Sequence, residues 1–109
     1  MSSFTVENRM TRATAVVVSE DTLTVDQADG RTLAAPLVWY PRLAHATAQE
    51  RSSWRLIADG LGIHWPEIDE DISVANLLAG QPSAESRSSL KRWLAGRSQS
   101  RRGPRRPRT

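Results

Sequence analysis

Residues 60 to 80, which read GLGIHWPEIDEDISVANLLAG, decide the fold because strand, turn and helix signals follow one another closely. Ile63 and Trp65 alternate with His64, a pattern that is typical of a strand with one buried face. Pro66 cannot donate a ladder hydrogen bond and predicts the end of this strand.

The second half of the same stretch predicts a short helix over residues 74 to 79. Ser73 is a favoured N-cap residue, and Gly80 can take the left-handed conformation that ends a helix. Asp69, Glu70 and Asp71 lie just ahead of the cap, where negative charge complements the positive end of the helix dipole.

Upstream, three apolar segments separated by turn residues predict an antiparallel meander. A β-branched run lies between Ala13 and Ser19, and two alternating segments follow it. Thr47 and Glu50 have the spacing of a capping box and predict a helix between the meander and a second strand pair. The resulting fold class is α+β, a small two-layer domain with an antiparallel meander sheet and short helices, followed by a C-terminal helix and a disordered basic tail.

The chain has 109 residues, a length that is typical of a single domain. It has no cysteine, which excludes disulfides and thiolate metal sites, and no apolar run long enough to cross a bilayer. The first residues lack a signal-peptide pattern, so we expect a cytoplasmic protein without a cofactor.

The net charge of +3 averages two regions of opposite sign. Residues 97 to 109 contain six arginines and no acid, which leaves nine basic and twelve acidic groups in residues 1 to 96, a net charge of −3. The predicted organisation is therefore a loose lead-in over residues 1–12, an α+β domain over 13–80, a linker and helix over 81–96 that is capped by Ser83 and ends at Gly96, and a disordered tail over 97–109.

An ordered series of segments resembles an uncharacterised bacterial family, domain of unknown function 2442. The resemblance covers roughly residues 13 to 80 and rests on Trp39-Tyr40-Pro41-Arg42-Leu43, Ala46-Thr47, Glu50-Arg51, Trp54, Gly62-Ile63-His64-Trp65-Pro66, Asp69-Glu70-Asp71-Ile72-Ser73 and Leu77-Leu78-Ala79-Gly80.

That resemblance implies a two-layer α+β domain with no established activity. Some members resemble regulators with a following helix-turn-helix domain, and others are encoded beside another small protein, as in toxin–antitoxin pairs. This chain has one further helix and a basic tail where the first type has its helix-turn-helix.

Two readings of the polar residues stay open. His64 with Asp69, Glu70 and Asp71 has the residue types of an acid–base or metal site, which would make the chain a small hydrolase. The spacing matches no established motif and no nucleophile stands nearby, so a half-exposed histidine beside dipole-complementing acids is the alternative. We assign no catalytic and no metal-binding residue.

Aromatic residues are numerous for a small domain, and core packing explains most of them. Trp65 is predicted to be buried. Any aromatic residue left exposed would mark a protein-binding patch, and the candidate interface comprises Trp39, Tyr40 and Arg42.

The basic tail carries the clearest functional signal. Arginine-rich ends bind phosphate backbones through charge, and the candidate nucleic-acid-binding residues are Arg97, Arg101, Arg102, Arg105, Arg106 and Arg108. A solubilising end or an acidic protein partner would use the same chemistry. The sequence thus predicts a non-enzymatic, antitoxin-like binding module, with a small protein encoded by a neighbouring gene as partner and nonspecific nucleic acid at the tail.

Overall fold

The structure is a computed structural model that describes the backbone of residues 12–105 and the side chains of residues 12–97. Residues 1–11 of the predicted lead-in and the last four residues lie outside this range. The described chain forms an α+β domain of two antiparallel three-stranded sheets, short helices and one long C-terminal helix.

The first sheet is the predicted meander, with strand order β1-β2-β3. Apolar residues alternate along β2, where Leu23 and Val25 are fully buried. Pro36 is the last residue of β3, a strand at the edge of the sheet, where the missing N–H removes no ladder bond. The strands are β1 (Ala13–Val18), β2 (Thr22–Gln27) and β3 (Thr32–Pro36).

Two short helices connect the sheets. Pro41 occupies the first turn of α1 (Pro41–Ala44), where its missing N–H removes no hydrogen bond. The capping box of α2 (Ala48–Ser52) is confirmed, since the Thr47 hydroxyl accepts from the Glu50 amide and the Glu50 carboxylate accepts from the Thr47 amide.

The second sheet has three strands rather than the predicted pair, in the order β4-β5-β6. Its third strand contains Glu70 and Asp71, which the sequence predicts as a loop ahead of a helix. Acidic residues have low strand propensity, but pairing with β5 and burial of Ile72 override it. The strands are β4 (Arg55–Ile57), β5 (Gly62–Trp65) and β6 (Glu70–Ser73).

Helix α3 (Val74–Leu78) follows β6 directly. Ser73 caps it by accepting a hydrogen bond from the Asn76 amide, and Gly80 takes a φ of 73° just beyond its end, both as predicted. The first turn of α3 contains no acidic residue, and Glu70 and Asp71 belong to β6, just ahead of the cap.

Helix α4 (Arg87–Arg105) differs from the prediction at both ends. Ser86, not Ser83, accepts the capping hydrogen bond, from the Ser89 amide. The helix continues through Gly96, which has no positive φ, and its described backbone reaches Arg105. No helix within residues 12–105 is long and apolar enough to cross a membrane.

The core lies between the two sheets and takes residues from both. Trp65 is fully buried, as predicted, and its indole N–H donates to the Arg51 carbonyl at 3.0 Å. Burying a tryptophan contributes several kcal/mol, so β5 is fixed mainly by this side chain. The buried apolar residues around it include Leu23, Val25, Leu37, Leu43, Ile63, Ile68, Ile72, Val74 and Leu77.

Candidate binding surface

The predicted polar cluster is divided between the two faces of the second sheet. His64 and Asp71 are direct partners across β5 and β6, and the His64 Nδ1 contacts the Asp71 carboxylate. Successive strand residues point to opposite faces, so Glu70 lies on the other face of the sheet, where Trp65 is its cross-strand partner. Asp69 is in the turn before β6, with a φ of 52°. The four residues therefore do not converge on one site.

Glu70 differs electrostatically from its acidic neighbours. Burial, together with the charge of the nearby Glu85 carboxylate, raises the pKa of Glu70 to about 7, although Arg42 opposes the shift. Within residues 12–97, no three His, Cys, Asp or Glu side chains are placed to hold a metal ion. This arrangement lends no support to the hydrolase alternative.

The three residues of the candidate interface mostly contact the chain itself. Tyr40 is buried, and the Trp39 carbonyl accepts from the Ser83 amide at 3.0 Å. Arg42 donates two hydrogen bonds to the Glu85 carboxylate, from Nε at 2.8 Å and from Nη2 at 3.0 Å. These residues hold the segment that leads into α4 instead of forming an exposed patch.

The Arg42–Glu85 pair is the first anchor of α4. The Glu85 side chain is only 8% exposed, and the hydrogen bonds from Arg42 lower the pKa of Glu85 despite its burial. Arg42 also donates to the Ile68 carbonyl at 3.1 Å, so it ties the start of α4 to the turn before β6. Such bidentate pairs have well-defined geometry as well as charge.

A second anchor lies three turns further along α4. Arg97 donates two hydrogen bonds to Glu50, at 2.9 and 3.0 Å, and they lower the pKa of Glu50. The guanidinium carbons of Arg42 and Arg97 lie 5.2 and 4.6 Å from the centre of the Trp93 ring. Both distances fall within the range of cation–π attraction. Trp93 thus links the two anchors.

The sequence does not predict these two anchors of α4. The sequence predicts Glu50 only as part of a capping box and Arg97 only as a nucleic-acid-binding residue. In the structure their side chains form a salt bridge with each other. The sequence signal for the first anchor is Glu85, the last acidic residue of the chain, because only basic charges follow it. Position alone could not identify its partner, because Arg42 is 43 residues away.

Beyond Glu85 the charge is entirely positive. Residues 86 to 109, here called the basic segment, contain nine basic and no acidic residues, whereas residues 1 to 85 carry six basic and twelve acidic ones. The net charges are +9 and −6. Arg97 forms an ion pair with Glu50. Among the other candidate residues, Arg101, Arg102 and Arg105 lie on the described backbone of α4, whereas Arg106 and Arg108 lie outside the described residues.

An apolar groove runs along the N-terminal half of α4. Its volume is about 500 Å³, Leu90 and Leu94 supply its apolar lining, and Arg87 and Lys91 lie beside them. Leu90 and Leu94 are one turn apart on the helix, and both are half-buried.

Fold and surface together define a small α+β domain of two meander sheets, to which a basic helix is anchored by arginine–glutamate pairs. The chain belongs to the family described as protein of unknown function (DUF2442), whose model matches residues 13–83. The predicted resemblance is confirmed. Helix α4 and the basic segment lie beyond the matched residues.

A solved structure supports the same fold. The chain is similar to a protein of unknown function from Rhodospirillum rubrum, known from a crystal structure, with 26% identity and a TM-score of 0.59. The match covers 72% of this chain and 95% of that one. The search of curated proteins produced no match.

Proposed function

We propose that the chain is a non-enzymatic binding module whose basic segment contacts the phosphate backbone of nucleic acids. The observation that carries the proposal is the charge division, +9 in the basic segment against −6 in the rest of the chain. The family domain forms the acidic body, and the segment beyond it concentrates arginine on a helix. Arginine recognises phosphate bidentately and needs no base contacts to do so.

The anchors of α4 support this proposal. Arg42–Glu85 and Arg97–Glu50 fix the first half of the helix against an acidic body. A 19-residue helix is about 28 Å long, so its second half extends well past the last anchor. An anionic polymer would meet the arginine-rich half and be repelled by the body, which orients the encounter.

The test is a chain that stops after Ser100. It loses Arg101, Arg102, Arg105, Arg106 and Arg108 but keeps the Arg97–Glu50 anchor, so its thermal unfolding should match that of the full chain. We expect duplex DNA binding to weaken strongly and the slope of log affinity against log salt to become shallower by about 4.5, since each of the five arginines contributes about 0.9.

A matched pair of full-length variants separates charge from chain length. Replacing the same five arginines with lysine should largely keep the affinity and the salt dependence, whereas replacing them with glutamine should reproduce the truncation. Equal DNA affinity of the truncated and full chains would refute the proposal.

The apolar groove on α4 favours a second role, the binding of a small acidic protein encoded by a neighbouring gene. Leu90 and Leu94 offer the apolar contact that affinity needs, and Arg87 and Lys91 can select a partner of negative charge. Such a module would act like an antitoxin.

Co-expression with the product of the adjacent reading frame tests this role. The double variant Leu90→Gln and Leu94→Gln should abolish co-purification, whereas Leu78→Gln, an exposed change on α3, should not. Loss of binding in both variants, or in neither, would contradict the role assigned to the groove.

A further inference from the structure

A pocket of about 350 Å³ lies on the side of the molecule formed by β6, α3 and the segment that leads to α4. Tyr40 and Glu70 belong to its lining, with Asn76 and Ser83 beside them. The volume suits a small organic molecule. His64 does not line this pocket, although Asp71, its partner across β5 and β6, belongs to the lining.

The Tyr40 hydroxyl has no hydrogen-bond partner among the described residues, although Tyr40 is only 3% exposed. Buried tyrosine hydroxyls are normally paired, because an unpaired polar group costs free energy. Burial raises the pKa of Tyr40 and the Glu70 charge raises it further, which places the hydroxyl within electrostatic range of that carboxylate. A ligand that reaches both groups would satisfy the hydroxyl.

The charges around the pocket select the ligand. The Glu70 side chain forms no hydrogen bond and no ion pair within residues 12–97, and the nearest other charges include the carboxylates of Glu85, Asp71 and Asp69. Arg42 is the opposing charge, and its hydrogen bonds go to the Glu85 carboxylate and to the carbonyls of Ile68 and Asp69, not to Glu70. An anion would be repelled here, whereas a cation would relieve the repulsion between carboxylates.

We infer that this pocket binds a small organic cation, whose ammonium or guanidinium group lies between the Glu70 carboxylate and the Tyr40 hydroxyl. The carboxylate accepts a charge-assisted hydrogen bond from the cation, and the hydroxyl oxygen accepts a second one. The site is independent of nucleic-acid binding, because none of its residues belongs to the basic segment.

The binding is pH-dependent for a stated reason. Glu70 has a pKa of about 7 in the absence of ligand, so it is partly protonated at neutral pH. A bound cation favours the carboxylate form, and affinity therefore rises as the pH increases through about 7. The other charged or titratable groups that face Glu70 are Arg42, Glu85, Asp69, Asp71 and Tyr40.

The experiment titrates the full chain with butylguanidinium and butylammonium chlorides, and with butylurea as a neutral analogue of the same shape. Amide chemical shifts should change at residues around Glu70 and Ser83, and both cations should bind at least about tenfold more tightly than butylurea. Affinity should fall about tenfold between pH 8 and pH 6.

Variants locate the site. Glu70→Gln should weaken cation binding about tenfold and remove its pH dependence, and Tyr40→Phe should weaken it by a smaller factor without changing the pH profile. Glu20→Gln, which removes an exposed carboxylate in the β1–β2 turn, is the matched control and should leave affinity unchanged.

Three results would overturn the inference: equal binding of butylurea, unchanged affinity in Glu70→Gln, or shifts that map away from the pocket. Binding of an arginine-containing peptide without binding of either small cation would also overturn it, in favour of a protein ligand.

Discussion

The two sheets and helix α4 are held to the molecule by different forces. The sheets share a continuous apolar core, in which Trp65, Ile63 and Ile68 are at most 1% exposed. Helix α4 is attached by two arginine–glutamate pairs and one half-buried tryptophan, Trp93. The first attachment depends on area removed from water, and the second depends on charge.

The two regions therefore respond to different conditions. Apolar burial is little affected by moderate salt or by pH, whereas the ion pairs of α4 are lost when a glutamate is protonated and are weakened by salt to the extent that they are exposed. The family domain should therefore stay folded under conditions that release α4. Substitutions in either region test this contrast.

We expect the largest difference between the regions when a tryptophan is replaced with alanine in each. Trp65→Ala should lower the free energy of unfolding by about 3–5 kcal/mol, because it opens a cavity in the core. Trp93→Ala should cost only about 1 kcal/mol, since this ring is half-buried and contributes mainly cation–π contacts. Urea denaturation measures both values, and a cost for Trp93→Ala equal to that for Trp65→Ala would contradict the comparison.

Arg42→Gln should have the next largest effect, about 2 kcal/mol, because it leaves the nearly buried Glu85 without its partner. The double variant Arg42→Gln with Glu85→Gln removes both charges and should recover part of that loss. Chemical denaturation of the two single variants and the double variant completes the cycle. No recovery in the double variant would show that the pair matters through packing alone.

Glu70→Gln should stabilise the domain by about 1–2 kcal/mol at pH 8, after allowance for solvent screening. The pKa of Glu70 is about 7 when folded and near 4.5 when unfolded, so the native state binds the extra proton between these values. Stability of the wild type therefore falls as the pH rises through this window.

The glutamine variant removes that titration. Thermal unfolding at pH 4 and pH 8 should show the two proteins alike at pH 4 and different at pH 8. A difference of the same size at both pH values would show that ionisation of Glu70 does not cause the stability difference.

The smallest expected effect belongs to Arg97→Gln, about 0.5–1 kcal/mol, because both partners of this pair remain partly exposed. Amide hydrogen exchange should accelerate in residues 87 to 97 and stay unchanged in β5. The pKa of Glu50 is lowered, so the pair stabilises the fold above pH 4.5 and loses that effect as the pH falls below it.

The wild type and the variant should therefore exchange alike at sufficiently low pH. Faster exchange throughout β5 in Arg97→Gln would show that α4 and the core unfold together, contrary to the comparison.

Local signals in the sequence predict much of this fold. Alternation in β2, the capping box of α2 and the Ser73 cap each depend on residues within a few positions, and all are observed. The family resemblance is confirmed for the same reason, because it rests on an ordered series of such segments.

The errors concern residues whose state depends on distant partners. Glu70 and Asp71 form a strand because β5 lies beside them, and α4 continues past Gly96 although a glycine there suggests an end. The Tyr40–Glu70 pocket joins residues 30 positions apart, and the Arg97–Glu50 pair spans 47. Periodicity and capping rules use residues that are close together in the sequence, so they cannot predict such contacts.

The connections between strands also bear on the rate of folding. Within each sheet, every strand pairs with its neighbour in the chain through a turn of three or four residues. Short loops close quickly and at small entropic cost, so both sheets can form early and independently. The anchors of α4 lie on α1 and α2, which are correctly placed only after the sheets have joined. Docking of α4 should therefore be the last kinetic step, and slowing it would leave a folded body with its basic helix already free to meet an anionic partner.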